Sequence, residues 1–437
     1  MKQQSTKVSE HITRRRFLET SVAAATTFAA GCASMRKGQA GPAILHPGEP
    51  EKLRVGVIGC GGRGTGAAMN CVESSENVEI VALGDLFQDR LDSCRKKLAK
   101  KVADNLNVTD DRCFTGFDAY LGVLDCDIDM VVMAPPPHFR PLHLKAVIEA
   151  GKHVFMEKPV AVDPVGIRSI IASSELAAQK GLAIVAGTQR RHAPAYVETM
   201  KRIHDGAIGE LVAAQCYWNQ EFLWVKEQKP EWSDMEWQCR NWLYFTWLSG
   251  DHIVEQHVHN LDVINWAMQS PPVKCVGMGG RQVRTGPECG NIFDHFAVEY
   301  EYPNGARVLS MCRQIGGCST RVSERIVGTK GVADPNGLIE GGRSYKYEPP
   351  DPAVDPYVQE HADLIASIRS GEPLNEGRRV AESTLTAIMG RMSAYTGREM
   401  KWDWVMNKSA LDLTPPAYEF GDLPVGPIAV PGETELV

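Results

Sequence analysis

The stretch LRVGVIGCGGRGTGAA, residues 53–68, constrains this chain more than any other, because an apolar run breaks there into glycines and reopens as a helical pattern. Gly59, Gly61 and Gly64 are spaced G-x-G-x-x-G between that run and the helix. Each glycine then has its own mechanical reason. The first makes the tight turn, the second lets a pyrophosphate reach the backbone, and the third permits close strand–helix packing, with the phosphate at the helix N-terminus. Asp85 ends the next apolar run, VEIVALGD, where a carboxylate can accept both ribose hydroxyls of an adenosine and repel a 2′-phosphate. NAD is therefore expected over NADP; Arg90 is the nearby cation that speaks for the phosphate.

Three more short apolar runs follow, in IDMVVMAPPP, KHVFMEKP and LAIVAGTQ, separated by helical patterns such as FQDRLDSCRKKLAKKV and FRPLHLKAVIEAGK. Continuous apolar strands alternating with amphipathic helices read as a Rossmann-type doubly wound parallel sheet. From Leu211 the strands lengthen and alternate, as in LVAAQCYWNQ, IFDHFAVEYEY and ARVLSMCRQIG, with a hairpin signal at Asn304-Gly305. The fold class is thus α/β, with a C-terminal α+β domain carrying a large, mainly antiparallel open sheet. The expected division is a targeting segment over 1–31, a linker over 32–52, a dinucleotide-binding domain over 53–188, a substrate and oligomerisation domain over 189–405, and a tail over 406–437.

A net charge of −7 gives no electrostatic reason to seek nucleic acid. The N-terminal TRRRFLETSVAAATTFAAGCAS is too short and weakly apolar to span a bilayer as a stable helix and reads as a targeting peptide. Its Arg14-Arg15 followed by Phe17-Leu18 resembles a twin-arginine signal, and AAGC resembles a lipoprotein box that would make Cys32 a lipid anchor. The expectation is export in the folded state to the periplasm or to a membrane-anchored form, with no transmembrane segment in the mature chain. The twelve cysteines are scattered, without C-x-x-C, and read as small buried apolar residues.

Lys158 lies where a parallel strand ends, the edge at which ligands of open α/β sheets collect. Its ammonium can hydrogen-bond a sugar hydroxyl there, or be a surface lysine beside a turn proline. In GDHIVEQHVHNLDVINW, residues 250–266, helical spacing places Glu255, His259, Asp262 and Trp266 on one face and His257 elsewhere. A metal would need about three converging ligands. No H-E-x-x-H occurs, so no metal is expected; a satisfied core histidine is the other alternative.

With the glycine loop, Glu157-Lys158-Pro159 and the E-x-x-x-H-x-x-D core of that run, the chain resembles the glucose-fructose oxidoreductase and inositol dehydrogenase (Gfo/Idh/MocA) family over residues 53–403. PPPHFRPLH and GTQRRHAPAYVETMKRIHDGAIGEL match connecting segments of that family. The resemblance implies Lys158 as the signature lysine, His259 as the catalytic histidine and Glu255 at the acidic position. Asp262 or Glu255 would orient the imidazole or hold hydroxyls. It also implies cofactor contacts at Gly62, Arg63, Pro135, His143, Glu157 and Lys158, and substrate contacts at Lys158, Arg191, Trp242, Glu255 and His259. The implied reaction is hydride transfer from a secondary hydroxyl of a sugar, glycoside or polyol to NAD.

Two alternatives stand beside it: a redox-neutral glycosidase or lyase working through a keto-sugar, and a non-catalytic carbohydrate binder that keeps its nucleotide. Trp218, Trp224, Trp232, Trp237, Trp242 and Trp247 crowd the segment before the histidine run, as a sugar-binding surface or as core. Folded export implies a tightly bound NAD. An open sheet face implies a homodimer or homotetramer.

Overall fold

The computed structural model describes residues 51–437. The targeting segment, Cys32 and nearly all of the linker lie outside the described residues. The first sheet contains β1 (Leu53–Ile58), β2 (Val78–Asp85), β3 (Cys113–Thr115), β4 (Met130–Met133), β5 (His153–Met156) and β6 (Ile184–Ala186). All pairs are parallel, in the order β3-β2-β1-β4-β5-β6, so the strand order reverses on either side of β1. At that reversal the C-terminal strand ends open a crevice. The strands are almost continuously buried because helices cover both faces: α1 (Gly62–Glu73), α2 (Gln88–Lys101), α3 (Ala119–Asp125), α4 (Arg140–Glu149) and α5 (Pro164–Lys180). Local chemistry sets the ends of α5. The Asp163 carboxylate accepts the Gly166 N–H (2.7 Å), Pro164 opens the helix, and Gly181 closes it at φ +66°.

The second sheet is built from β7 (Leu211–Gln220), β8 (Lys274–Gly280), β9 (His295–Glu301), β10 (Arg307–Gln314), β11 (Arg321–Gly328), β12 (Gly331–Asp334), β13 (Leu338–Gly341), β14 (Tyr345–Lys346) and β15 (Met400–Lys401). Its order is β14-β13-β12-β11-β7-β10-β9-β8-β15, antiparallel except for the parallel pair β7/β10. The β9–β10 hairpin closes through Tyr302 and Ala306, with Gly305 at φ +82° taking the left-handed position. Around this sheet lie α6 (Pro194–His204), α7 (Asp234–Arg240), α8 (Thr246–Ser249), α9 (His252–Glu255), α10 (Val258–Met268), α11 (Pro356–Ser370), α12 (Gly377–Thr396) and α13 (Trp402–Asn407).

Packing divides the chain differently from the expected 189–405 block. Leu364, Ile365 and Ile368 of α11 bury themselves with β1 and β2 residues in the core of the first domain. At about 1.5–3 kcal/mol for each fully buried aliphatic side chain, that docking fixes α11 to the dinucleotide-binding half. Helix α12 lies between β8, α10 and α5, with sixteen of its twenty residues buried, and so joins the two halves. Residues 406–437, the tail, have their own fixed path. They cross both halves through specific hydrogen bonds, among them Leu413 N–H to Asp163 (2.9 Å) and Gly432 N–H to Thr396 (3.0 Å).

Candidate active site

A cavity of about 790 Å³ opens between the strand ends of the first sheet and the second domain. Its floor is the glycine loop. Gly59 sits at φ +91°, and a Cβ there would come within 2.5 Å of the Pro135 nitrogen. A Cβ on Gly64 would fall 1.8 Å from the Gly59 carbonyl oxygen, so strand and helix could not approach as they do. By contrast, nothing lies within 4 Å of a Cβ placed on Gly61 or Gly62. Those two glycines leave an open backbone cradle at the start of α1, the geometry a pyrophosphate requires. Asp85 ends β2 beside it: one carboxylate oxygen accepts the Cys60 N–H (2.6 Å) and the other the Phe87 N–H (2.9 Å). Each oxygen keeps a lone pair for a ribose hydroxyl. Burial nonetheless raises the Asp85 carboxyl above its ordinary range, against those two bonds. The residues present therefore fit a dinucleotide, and all ten proposed cofactor contacts line this cavity: Gly59, Gly61, Gly62, Arg63, Gly64, Asp85, Pro135, His143, Glu157 and Lys158.

At the other end, past β4 and β5, Lys158, Glu255 and His259 line the same cavity. The Lys158 ammonium donates to the Glu255 carbonyl (2.6 Å) and, more loosely, to its carboxylate (3.4 Å). Of three ammonium protons one remains for a ligand. His259 is buried, and its ring lies nearly parallel to the Trp218 indole (centroids 5.7 Å apart, 21° between planes). Burial, followed by the charges of Lys158, Arg190 and Arg63, holds the imidazole well below its ordinary pKa, so it is neutral and can accept a proton.

Several expectations are corrected. Glu255 and His259 do not sit on one helix: α9 ends at Glu255, the His257 N–H reaches back to the His252 carbonyl (3.2 Å), and α10 begins at Val258. Both side chains still reach the cavity, from two short helices. Asp262 and Arg191 lie outside the cavity lining. Asp262 is turned toward α12, where its carboxylate accepts from the Arg191 guanidinium (2.8 and 2.9 Å) and from the Ser383 hydroxyl (2.8 Å). Burial alone would raise the Asp262 carboxyl, but the guanidiniums of Arg191 and Arg379 bring it below its usual range. Asp262 thus anchors α10 and does not touch the imidazole. His257 is packed against the sheet, its Nε2 2.7 Å from the Ser310 hydroxyl, and His252 is buried beside Phe296.

The aromatic run also divides. Trp218, Trp224 and Trp242 line the cavity, whereas Trp237, Tyr244 and Phe245 are buried in a separate core with Phe87 and Phe139, against which Trp232 and Trp247 pack. Sequence reasoning missed Arg140. It is buried at the start of α4 and donates to the carbonyls of Pro135 (3.0 Å) and Pro159, tying together the loops after β4 and β5. Its place in PPPHFRPLH, at a helix start just beyond the end of a parallel strand, was the available signal. Glu360 was also missed: with Glu157 it holds Arg63, and burial followed by the neighbouring Glu157 pushes its carboxyl well up. Among the described residues, no group of three or more His, Cys, Asp or Glu side chains is arranged to hold a metal ion.

A parallel sheet ordered around β1, a glycine cradle at its crest and a ligand cavity closed by a second, open-faced sheet define a two-domain dinucleotide-binding protein. Comparison with known proteins agrees. Residues 53–188 match the GFO_IDH_MocA oxidoreductase family, NAD-binding Rossmann fold, and residues 196–334 match the GFO/IDH/MocA C-terminal domain. The chain belongs to the Gfo/Idh/MocA oxidoreductase family. It is 26% identical over 220 residues to an inositol 2-dehydrogenase/D-chiro-inositol 3-dehydrogenase of Lactiplantibacillus plantarum, covering 50% of this chain and 53% of that one. The chain thus spans about half the length of the named relatives it matches. Among solved structures, an oxidoreductase domain protein from Kribbella flavida superposes with a TM-score of 0.65 at 18% identity, over 80% of this chain and 99% of that one. An aldose-aldose oxidoreductase from Caulobacter crescentus, complexed with glycerol, does so with a TM-score of 0.63 at 19% identity, over 80% and 99%. These structural likenesses carry the fold.

Proposed function

We propose that the protein oxidises a secondary hydroxyl of a sugar, glycoside or polyol, with NAD as the hydride acceptor. The observation that carries this reading is the convergence of a neutral His259 and the Lys158–Glu255 pair on the cavity that contains the glycine cradle. The inositol dehydrogenases among the relatives support a polyol-like substrate. NAD is favoured over NADP because the Asp85 carboxylate occupies the position that a 2′-phosphate would need.

When bound, the dinucleotide supplies the hydride acceptor. The chain's own residues do the rest. The free ammonium proton of Lys158 hydrogen-bonds the substrate oxygen and favours its developing negative charge. His259 takes the hydroxyl proton as the carbon gives up its hydride. Trp218 fixes the imidazole plane, and Glu255 fixes the ammonium. Trp224 and Trp242 offer faces for the C–H surface of a sugar. The same reading includes export by the twin-arginine route and a homodimer or homotetramer. The outward face of the second sheet supports the assembly, since Met278, Val276 and Leu309 are 74%, 50% and 40% exposed there.

The test is to release the co-purifying nucleotide, identify it by mass, and follow reduced nicotinamide while sugars and polyols are supplied. Accumulating NADH supports the dehydrogenase; a sugar set free without NADH would support redox-neutral cleavage instead. His259→Ala should lower turnover about 10²–10⁴-fold with dinucleotide binding nearly unchanged. Equal turnover in that variant would remove His259 from the role.

A further inference from the structure

The C-terminal residues 412–424 have no helix or strand, yet they are fastened at both ends to opposite sides of the cavity. Leu413 N–H donates to Asp163 at the start of α5 (2.9 Å), and the Tyr418 hydroxyl lies 2.8 Å from His138 Nε2, just before α4. Both partners belong to the first domain. A few residues on, the Gly421 carbonyl accepts the Met235 N–H (3.1 Å) and the Leu423 carbonyl accepts from Gln238 (2.6 Å). Those partners lie on α7, in the second domain. Pro415 and Pro416, between the first anchors, reduce the freedom that this segment would gain on release.

Between its anchors the segment lays its rings on the adenosine end of the cavity. Phe420 stacks on Phe87 (6.0 Å, 17°) and leans on Phe117 (5.3 Å), and Tyr418 packs against Phe117 (6.0 Å) and Phe139 (5.7 Å). Phe87, Phe117 and Phe139 all line the cavity beside Asp85. Arg240 of α7 also places its guanidinium 3.8 Å from the centroid of the Phe87 ring and bonds Asp89 (3.1 Å). The Phe87 loop is therefore held by two parts of the chain that come from the second half of the sequence.

We propose that residues 412–424 form a clasp belonging to the nucleotide site, which keeps the two domains closed over the adenosine end and makes the dinucleotide a retained group. The proposal rests on the cofactor reading above. A dinucleotide lying along the strand ends leaves either by separation of the domains or by movement of the Phe87 and Phe117 loops. The clasp opposes both motions, because its two sets of anchors bridge the domains and its rings cover those loops.

The experiment compares the full chain with Tyr418→Ala/Phe420→Ala, with Phe420→Trp, and with a chain ended after Leu411. NAD content per chain is measured by mass after gel filtration, and the release rate by displacement with excess fluorescent NAD analogue. Thermal unfolding of the nucleotide-free proteins checks the fold. The expected result is release at least tenfold faster in the double variant and the shortened chain, with slow release kept in Phe420→Trp, whose ring still stacks. If the shortened chain fails to fold, the double variant decides. Release from a folded double variant at the rate of the full chain overturns the clasp and leaves the cofactor reading intact. A full chain that neither carries nor binds a dinucleotide overturns both.

Discussion

At its His259 end the cavity is walled by charged and hydrogen-bonded groups, each held by a partner: Lys158 by Glu255, Arg140 by two loop carbonyls, Arg63 by two carboxylates. At its Asp85 end the wall is mostly rings, Phe87, Phe117 and Phe139, backed by Phe420 and Tyr418. The contrast separates two kinds of demand. Directional groups must hold one geometry to within a bond length, so changing one of them should cost rate. Packed rings share their contact among many atoms, so changing one should cost retention or stability by degrees.

The largest expected effect tests the directional end. Lys158→Met removes the donor without removing the stem, and should lower kcat about 10²–10³-fold while dinucleotide content falls far less. Steady-state kinetics with nucleotide quantified on the same sample reads both; a parallel loss of nucleotide would mean that the two ends are not separable. Next comes the floor they share. Gly64→Ala forces a Cβ to within 1.8 Å of the Gly59 oxygen. It should weaken dinucleotide binding tenfold or more in calorimetric titration and cost about 1–3 kcal/mol of stability, as overpacking does. Wild-type affinity in that variant would show that the loop can shift without losing its ligand.

The legible parts of the molecule were those whose physics is local. A glycine loop between strand and helix, an acid at the end of the next strand and a lysine at the end of a later one all follow from spacing, and the doubly wound parallel sheet follows from alternation. What stayed hidden depended on partners far away in sequence. Asp262 has the right helical spacing to join His259, but Ser383, 121 positions on, claims its carboxylate. The α9/α10 break at Gln256 and His257 leaves no glycine or proline to announce it. Six tryptophans in one segment carry no sign of which will meet solvent, because that is decided by Phe87, Phe139 and the C-terminal segment folding over them.

Asp262 offers a smaller and sharper test. Because the structure ties it to α12, Asp262→Ala should lose about 3–5 kcal/mol of stability, as a broken buried ion pair does. Turnover per folded molecule should change less than about tenfold, well short of a lost proton acceptor. Denaturant titration beside active-site counting distinguishes these outcomes, and a deficit as deep as that of His259→Ala would return Asp262 to the chemistry.

The last effect is one of pH, and its sign separates folding from catalysis. Burial lowers His138 and His153 to about 4 and His143, His257 and His361 to about 3, below the ordinary value of 6.5. As pH falls below about 6.5 the unfolded chain takes protons on these rings that the folded chain refuses, so stability declines progressively on the acid side. His192 runs the other way. Burial alone would lower it, but Asp363 and Glu376 raise it to about 9, so its contribution is whole below pH 6.5 and is lost as pH rises through 9. Denaturant midpoints should therefore fall on both flanks of neutrality, and His192→Gln should flatten the alkaline flank alone. Burial holds His259 well below 6.5 as well, so the ring stays unprotonated as the fold weakens. Acid should accordingly remove molecules before it slows those that remain: kcat/KM per folded molecule shows no bend through pH 6.5 while the folded fraction drops. A kcat/KM profile bending near pH 6.5 in fully folded protein would place the essential proton acceptor in a more exposed setting than the stack beneath Trp218.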